Sequence, residues 1–332
     1  MNFEFSEEQL LLRTSVRGFL EREWPAAALR RAWESDEPPS ALWPKLGSLG
    51  VTAITLPEAS GGLGGDELDL VLALEECGRA ALPLRVGELA AAAGLLAAAD
   101  DDLARAWLPK IADGSATLAL GLAEQPYVAG VSVAGLVLLE VEGGVCAVAP
   151  DRCRVLAQPS FAPARDLASL EVEPGAGELL QIPGDQLRLA WDRCTLATAA
   201  ELVGASQRML EQAIAYAEER HQFGRAIGSF QAVKHRLVDS AVAIELARPA
   251  VYAAAWAVAR GRPGRSASVS LAKLYANRAA IRAARDSLQV HGGIGFAAEY
   301  DLQLWIKHSL ALSQSYGAER WHLDRLAEHL GL

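Results

Sequence analysis

The sequence predicts a mainly α-helical protein with a small β-domain at its centre, and three observations predict it. Apolar residues recur at three- and four-residue spacing in the first and last parts of the chain, one face of a helix at a time. Between those parts the pattern changes to short apolar runs cut by Gly, Pro and acidic residues. Ala-rich stretches such as Glu88 to Ala99 favour helix, because Ala loses no side-chain entropy there. The expected boundaries are 1–112 for a helical domain, 113–190 for a shortened β-domain and 191–332 for a helical bundle.

Taken in order, Ser6 before Glu7, Glu8 and Gln9 reads as a helix start with acids in its first turn. The run TLPEASGGLGGDELDLVLALEECGRAALP supplies a glycine-rich turn, then a helix that starts at Asp66 and Glu67 and ends near Gly78. VSVAGLVLLEVEGGVCAVAP reads as two strands joined by a Gly-Gly turn, within a segment long enough for a small sheet and no more. From Trp191 the helical period returns, with Leu202, Val203, Met209, Leu210, Ala213, Ile214 and Ala217 on one face. Val233, Leu237, Ala241 and Ile244, then Leu271, Leu274, Ile281 and Leu288, suggest two more helices, separated at Gly261, Pro263 and Gly264.

Composition excludes several classes. With 31 basic against 41 acidic residues the formal net charge is −10, and no basic block offers a footprint for nucleic acid. Single apolar runs such as Val131 to Leu139 fall short of a membrane span, and the N-terminus lacks a signal pattern. Cys77, Cys146, Cys153 and Cys194 form no CxxC pair. That excludes a thiolate zinc site of the usual spacing and fits reduced thiols in the cytoplasm.

Two segments carry chemistry. In EERHQFGRAIGSFQAVKH, Arg220 stands near Phe223 and Gly224. Alone this is an ordinary helix–turn–helix. It also suits a nucleotide clamp, in which a guanidinium pairs with a pyrophosphate, an aromatic covers apolar cofactor surface and a glycine permits a tight turn. In QVHGGIGF, adjacent glycines let backbone N–H groups approach a ligand, although a plain helix cap has the same look. The spacing is not the GxGxxG of a strand–turn–helix dinucleotide site.

Together and in this order, the two segments resemble the Arg–x–x–Phe–Gly…Phe–Gln and Gln–x–x–Gly–Gly–x–Gly–Phe segments of the acyl-CoA dehydrogenases. The resemblance extends along the chain, since MNFEFSEEQLLLRTSVRGFLERE resembles that family's opening helix and LGVTAITLPEASGGLGG its Pro–Glu–x–x–Gly–Gly turn. It implies the acyl-CoA dehydrogenase fold: an N-terminal helical domain, a β-domain and a C-terminal four-helix bundle. It also implies FAD as cofactor and an acyl-CoA thioester as substrate. A glutamate takes the Cα proton while the Cβ hydrogen leaves as hydride, and electron-transfer flavoprotein or a similar acceptor takes the electrons. In that family FAD is shared across subunits. Arg220, Gln222, Phe223, Phe230, Gln231, Gln289, Gly292 and Gly293 stand at positions that grip the ADP half of a flavin held mainly by a neighbour.

The resemblance breaks at the chemistry. The flavin-ring stretch Thr–Glu–Pro…Gly–Ser–Asp is replaced by a segment with Ala123 and Glu124. The two family positions for the catalytic base carry Tyr316 and Cys194, and neither is a carboxylate. Glu201 and Glu319 lie near them and could act as relocated bases, or could be ordinary helix-face acids. Asp192 matches a substrate-contacting acid, with Thr195 where an Arg is expected and Arg193 the nearest cation. The whole pattern resembles the shorter subunit of bacterial heteromeric, steroid-catabolism-type enzymes, in which an α2β2 assembly puts the base on a longer partner. A self-sufficient homomer with a displaced base, or a non-catalytic binding protein on the same fold, would fit the same residues.

Overall fold

A computed structural model of the chain describes residues 4–35, 38–99, 102–173 and 175–332. Among the described residues six α-helices come first: α1 (Glu7–Glu23), α2 (Ala26–Ser35), α3 (Trp43–Ser48), α4 (Glu67–Arg79), α5 (Val86–Ala99) and α6 (Asp102–Ala112). Both expected helix starts are capping boxes. Ser6 accepts from Gln9 N while the Gln9 side chain accepts from Ser6 N, and Asp66 and Asp69 do the same for α4.

The central part holds two small sheets where the sequence suggested one. Strands β1 (Leu118–Gly121), β3 (Leu136–Val141), β4 (Gly144–Val148) and β7 (Glu178–Leu180) pair in the order β1-β3-β4-β7. Strands β2 (Val128–Ala129), β5 (Cys153–Ala157) and β6 (Leu167–Val172) pair as β2-β6-β5. The Gly-Gly turn joins β3 to β4 as read, with Gly143 at φ 89°. Val131–Val133, at the head of the same run, is a 3-10 turn and not strand.

The bundle begins earlier than its apolar period suggests. Helix α7 runs Gly184–Glu219, starting after Pro183 with Asp185 in its first turn, because a proline-led start needs no buried face. Then come strands β8 (His221–Gln222) and β9 (Arg225–Ala226) and helices α8 (Gln231–Ala259), α9 (Arg265–His291), α10 (Leu302–Gln314) and α11 (Glu319–Leu330). By length and composition alone α8 is apolar enough to cross a membrane, at mean hydropathy 1.3, which single runs in the sequence did not suggest. In the fold it is a bundle helix packed on α7 and α9.

One crossing sets the geometry of the interior. Helices α4 and α7 approach so closely at Gly78 and Gly204 that a Cβ on either would lie 1.9 Å from Glu201 O or 1.8 Å from Glu75 O. Only glycine allows that contact, and it brings Glu201 under α5.

Candidate functional site

The two chemistry-bearing segments meet at one end of the bundle. After α7, strands β8 and β9 form a hairpin whose two-residue loop is Phe223 and Gly224, with φ 54° and 77°. Two successive positive φ values define the turn that suits hairpin twist, and Gly serves it at no cost. A phenylalanine there is strained, and such strain persists where a side chain must be presented. Phe223 is 92% exposed. Beside it Phe230 meets Phe223 edge-on at 6.1 Å and carries the Arg225 guanidinium at 4.1 Å. Arg225 is a second cation at this edge that the sequence reading overlooked. Its signal was available, since it completes the hairpin opposite Gln222.

The second segment caps α9. Gly292 takes φ 63°, and a Cβ on Gly292, Gly293 or Gly224 would meet nothing within 4 Å. Gln289, Arg220, Gln222 and Gln231 are exposed, as is Phe296 at 77%. Among the described residues no ion pair or side-chain hydrogen bond engages Arg220. A small apolar cluster of Ala213, Ala217 and Val290 underlies this end, separate from the main core. Exposed rings, open glycines and a free guanidinium have the donor set and the space that an adenine–pyrophosphate group requires.

The base position is built the opposite way. Tyr316 sits on the turn after α10 at φ 54°, 3% exposed, edge-on to Trp191 at 5.5 Å. Its hydroxyl faces Cys194 and Glu88, and burial, then those two groups, hold it protonated well above the ordinary tyrosine range. Burial likewise raises the Cys194 thiol, which cannot serve as a thiolate at neutral pH. Arg85 bridges two buried carboxylates. It donates to Glu88 Oε1 at 2.7 and 2.9 Å and to Glu201 Oε2 at 3.0 Å. Burial raises the Glu201 carboxyl against the pull of Arg85. Glu201 is therefore no solvated helix-face acid.

The rest of this region is closed. Buried Arg165, lowered to about 10 by burial and by Arg85, donates to Ser315 Oγ at 2.9 Å. The cavity between Arg85, Glu88, Thr117, Gly130 and Arg165 holds about 20 Å³, room for about one water. The loop at Ala123, where a flavin ring is expected to lie, is tied to the same turn. Gln125 Oε1 accepts from Tyr316 N at 2.9 Å, and Glu124 Oε2 accepts from Trp321 Nε1 at 3.1 Å.

Other expected site residues are placed elsewhere. Glu319 is half-buried and pairs with Arg278 at 2.8 Å on a surface groove. Asp192 was expected to meet substrate, but it is fully buried and its oxygens accept from Arg265, Ser266 and Arg325 at 2.7–3.2 Å. Arg193 pairs with Glu67 at 2.6 Å.

Two family models match the chain: "Acyl-CoA dehydrogenase, N-terminal domain" over residues 6–115 and "Acyl-CoA dehydrogenase, C-terminal domain" over residues 186–331. Acyl-CoA dehydrogenase IpdE2 of Mycobacterium tuberculosis is 36% identical over 325 residues, covering 96% of each chain. The protein of the same name in Mycolicibacterium smegmatis is 34% identical, covering 97% of this chain and 98% of the relative. Among solved structures, the ChsE4-ChsE5 complex from Mycobacterium tuberculosis contains a chain with 25% identity and a TM-score of 0.89, covering 100% of this chain and 99% of that one.

Proposed function

The chain belongs to the acyl-CoA dehydrogenase family, and we propose that within it this protein is a subunit that lends the ADP half of an FAD site to a partner. Members of the family are FAD flavoproteins. The contrast between an open clamp and a sealed base position carries the reading. Arg220, Gln222, Phe223, Phe230, Gln231, Gln289, Gly292 and Gly293 lie at the surface, where a second subunit can bring its flavin. The position that should present a carboxylate to Cα carries instead a buried, protonated Tyr316.

When bound, FAD supplies the hydride-accepting chemistry. This chain's residues would hold the diphosphate with Arg220, and Arg225 beside it, while Phe223 and Phe230 cover apolar surface. The proton abstraction falls to a carboxylate of a longer partner, in an assembly of the α2β2 kind. The ChsE4-ChsE5 complex, which contains a chain similar to this one over its whole length, supports that arrangement. Such an assembly passes its electrons to electron-transfer flavoprotein or a similar acceptor.

Co-expression with a longer acyl-CoA dehydrogenase, followed by size measurement and a flavin spectrum, tests the reading. A yellow heteromer and a colourless lone chain are expected. A lone chain that oxidises acyl-CoA robustly, and loses that activity in Glu201→Gln, would establish a self-sufficient enzyme with a relocated base.

A further inference from the structure

His291 belongs to the second clamp segment, between Gln289 and Gly292, yet its ring reaches the end of the helix that carries the first. The ring is buried at the end of α9, directly before Gly292. Its Nδ1 lies 2.7 Å from Ser287 O, a carbonyl that can only accept, so Nδ1 carries the proton. Burial lowers the ring below the ordinary histidine range and keeps it neutral. Nε2 is then an acceptor, and the Tyr300 hydroxyl donates to it at 3.0 Å.

The third contact joins the other segment. Tyr216 of α7 stacks on the His291 ring at 4.5 Å and 23°. The same Tyr216 accepts, through its carbonyl, the Arg220 N–H at 2.9 Å, the bond that ends α7 and aims Arg220 outward. Gly295 of the turn lies close to the base of this side chain, where a Cβ would be 3.1 Å from His291 Cβ. One imidazole thus contacts Tyr216, whose carbonyl holds the Arg220 N–H, and Tyr300, which follows the glycine turn, while its own backbone opens that turn.

We propose that His291, with its Nδ1 proton on Ser287 O, is a positioning residue that holds the Arg220 and Gly292–Gly293 segments in one register for the dinucleotide. It rests on the reading that this chain supplies the ADP half of the site. His291 touches no ligand. Its effect passes through Tyr216 and Tyr300, and misplacing one half of a clamp costs binding even when every contacting residue remains.

The test uses the full chain in its flavin-loaded assembly, with Tyr300→Phe, His291→Gln, His291→Phe and Arg220→Ala. Ring-nitrogen NMR of labelled histidines should show one ring protonated at Nδ1 whose Nε2 resonance moves in Tyr300→Phe. FAD should bind roughly two- to tenfold more weakly in Tyr300→Phe, the worth of one neutral hydrogen bond. The loss should be greater in His291→Phe and partly restored in His291→Gln, whose side chain can still accept from Tyr300. Unaltered FAD affinity in both His291→Phe and Tyr300→Phe, with weakened binding in Arg220→Ala, overturns the positioning role and leaves the clamp standing. Unaltered affinity in Arg220→Ala as well overturns the clamp and this inference with it. Equal losses in His291→Gln and His291→Phe would show that the ring acts as packing alone, which also overturns it.

Discussion

The end of α7 and its middle answer opposite demands. At the end, Arg220 and the Phe223–Gly224 turn are exposed, unpaired and partly strained. In the middle, Cys194 and Glu201 are buried with Arg85, Glu88 and Tyr316. A surface that keeps strain and leaves a guanidinium unpaired is built for something outside the chain. On the proposed reading, an interior holding the Arg85, Glu88 and Glu201 charges could admit an acyl chain there only by displacing desolvated charges.

The sharpest way to break this comparison is turnover. The lone chain should oxidise acyl-CoA at least about 10²–10⁴-fold more slowly than its assembly, the usual worth of general-base assistance. Tyr316→Glu should not restore the rate, since the new carboxylate would be buried facing Glu88. A steady-state assay showing recovery in that variant would mean the base position is still open.

Stability probes the sealed half directly. Arg85→Met leaves Glu88 and Glu201 buried without their cation, and urea unfolding should show a loss of about 3–5 kcal/mol. Adding Glu201→Gln should recover part of it. A loss of under 1 kcal/mol would show that the network contributes little.

The open half should respond in binding and not in stability. Arg220→Ala should weaken FAD in the assembly by about 1.5–3 kcal/mol, roughly ten- to a hundredfold. Its unfolding free energy should stay within about 0.5 kcal/mol of the parent, as for other surface changes. Equal losses in both measurements would place Arg220 in the fold instead.

The smallest effect is a pH slope. Burial first, then Lys273, holds His322 down to about 3, and burial holds His308 well below its ordinary value. Each binds more protons unfolded than folded between those values and about 6.5. Stability should therefore rise with pH through this window and fall as acid is added below about 6.5. The slope is up to about 1.4 kcal/mol per pH unit for each ring. Both His308 ring nitrogens lack a hydrogen-bond partner among the described residues, so His308→Leu should flatten the profile. An unchanged slope would show that His308 is already charged in the folded state.

Much of this was legible in the residues themselves. The capping residues Ser6 and Asp66, the Gly-Gly turn at Gly143 and the Arg–x–x–Phe–Gly pattern at Arg220 act through neighbours a few positions away, so local sequence determines them. The absence of a carboxylate at Tyr316 and Cys194 was likewise plain from the sequence. What fills the vacated place was not. Arg85 and Glu201 stand 116 positions apart, and Glu201 looked like a helix-face acid until the Gly78–Gly204 crossing carried it beneath α5. Asp192 matched a substrate-contacting acid until α9 and α11 brought Arg265 and Arg325 onto it. A helix pattern tells which face is apolar, but only packing between distant elements decides whether a charge on that helix meets water, a ligand or another charge.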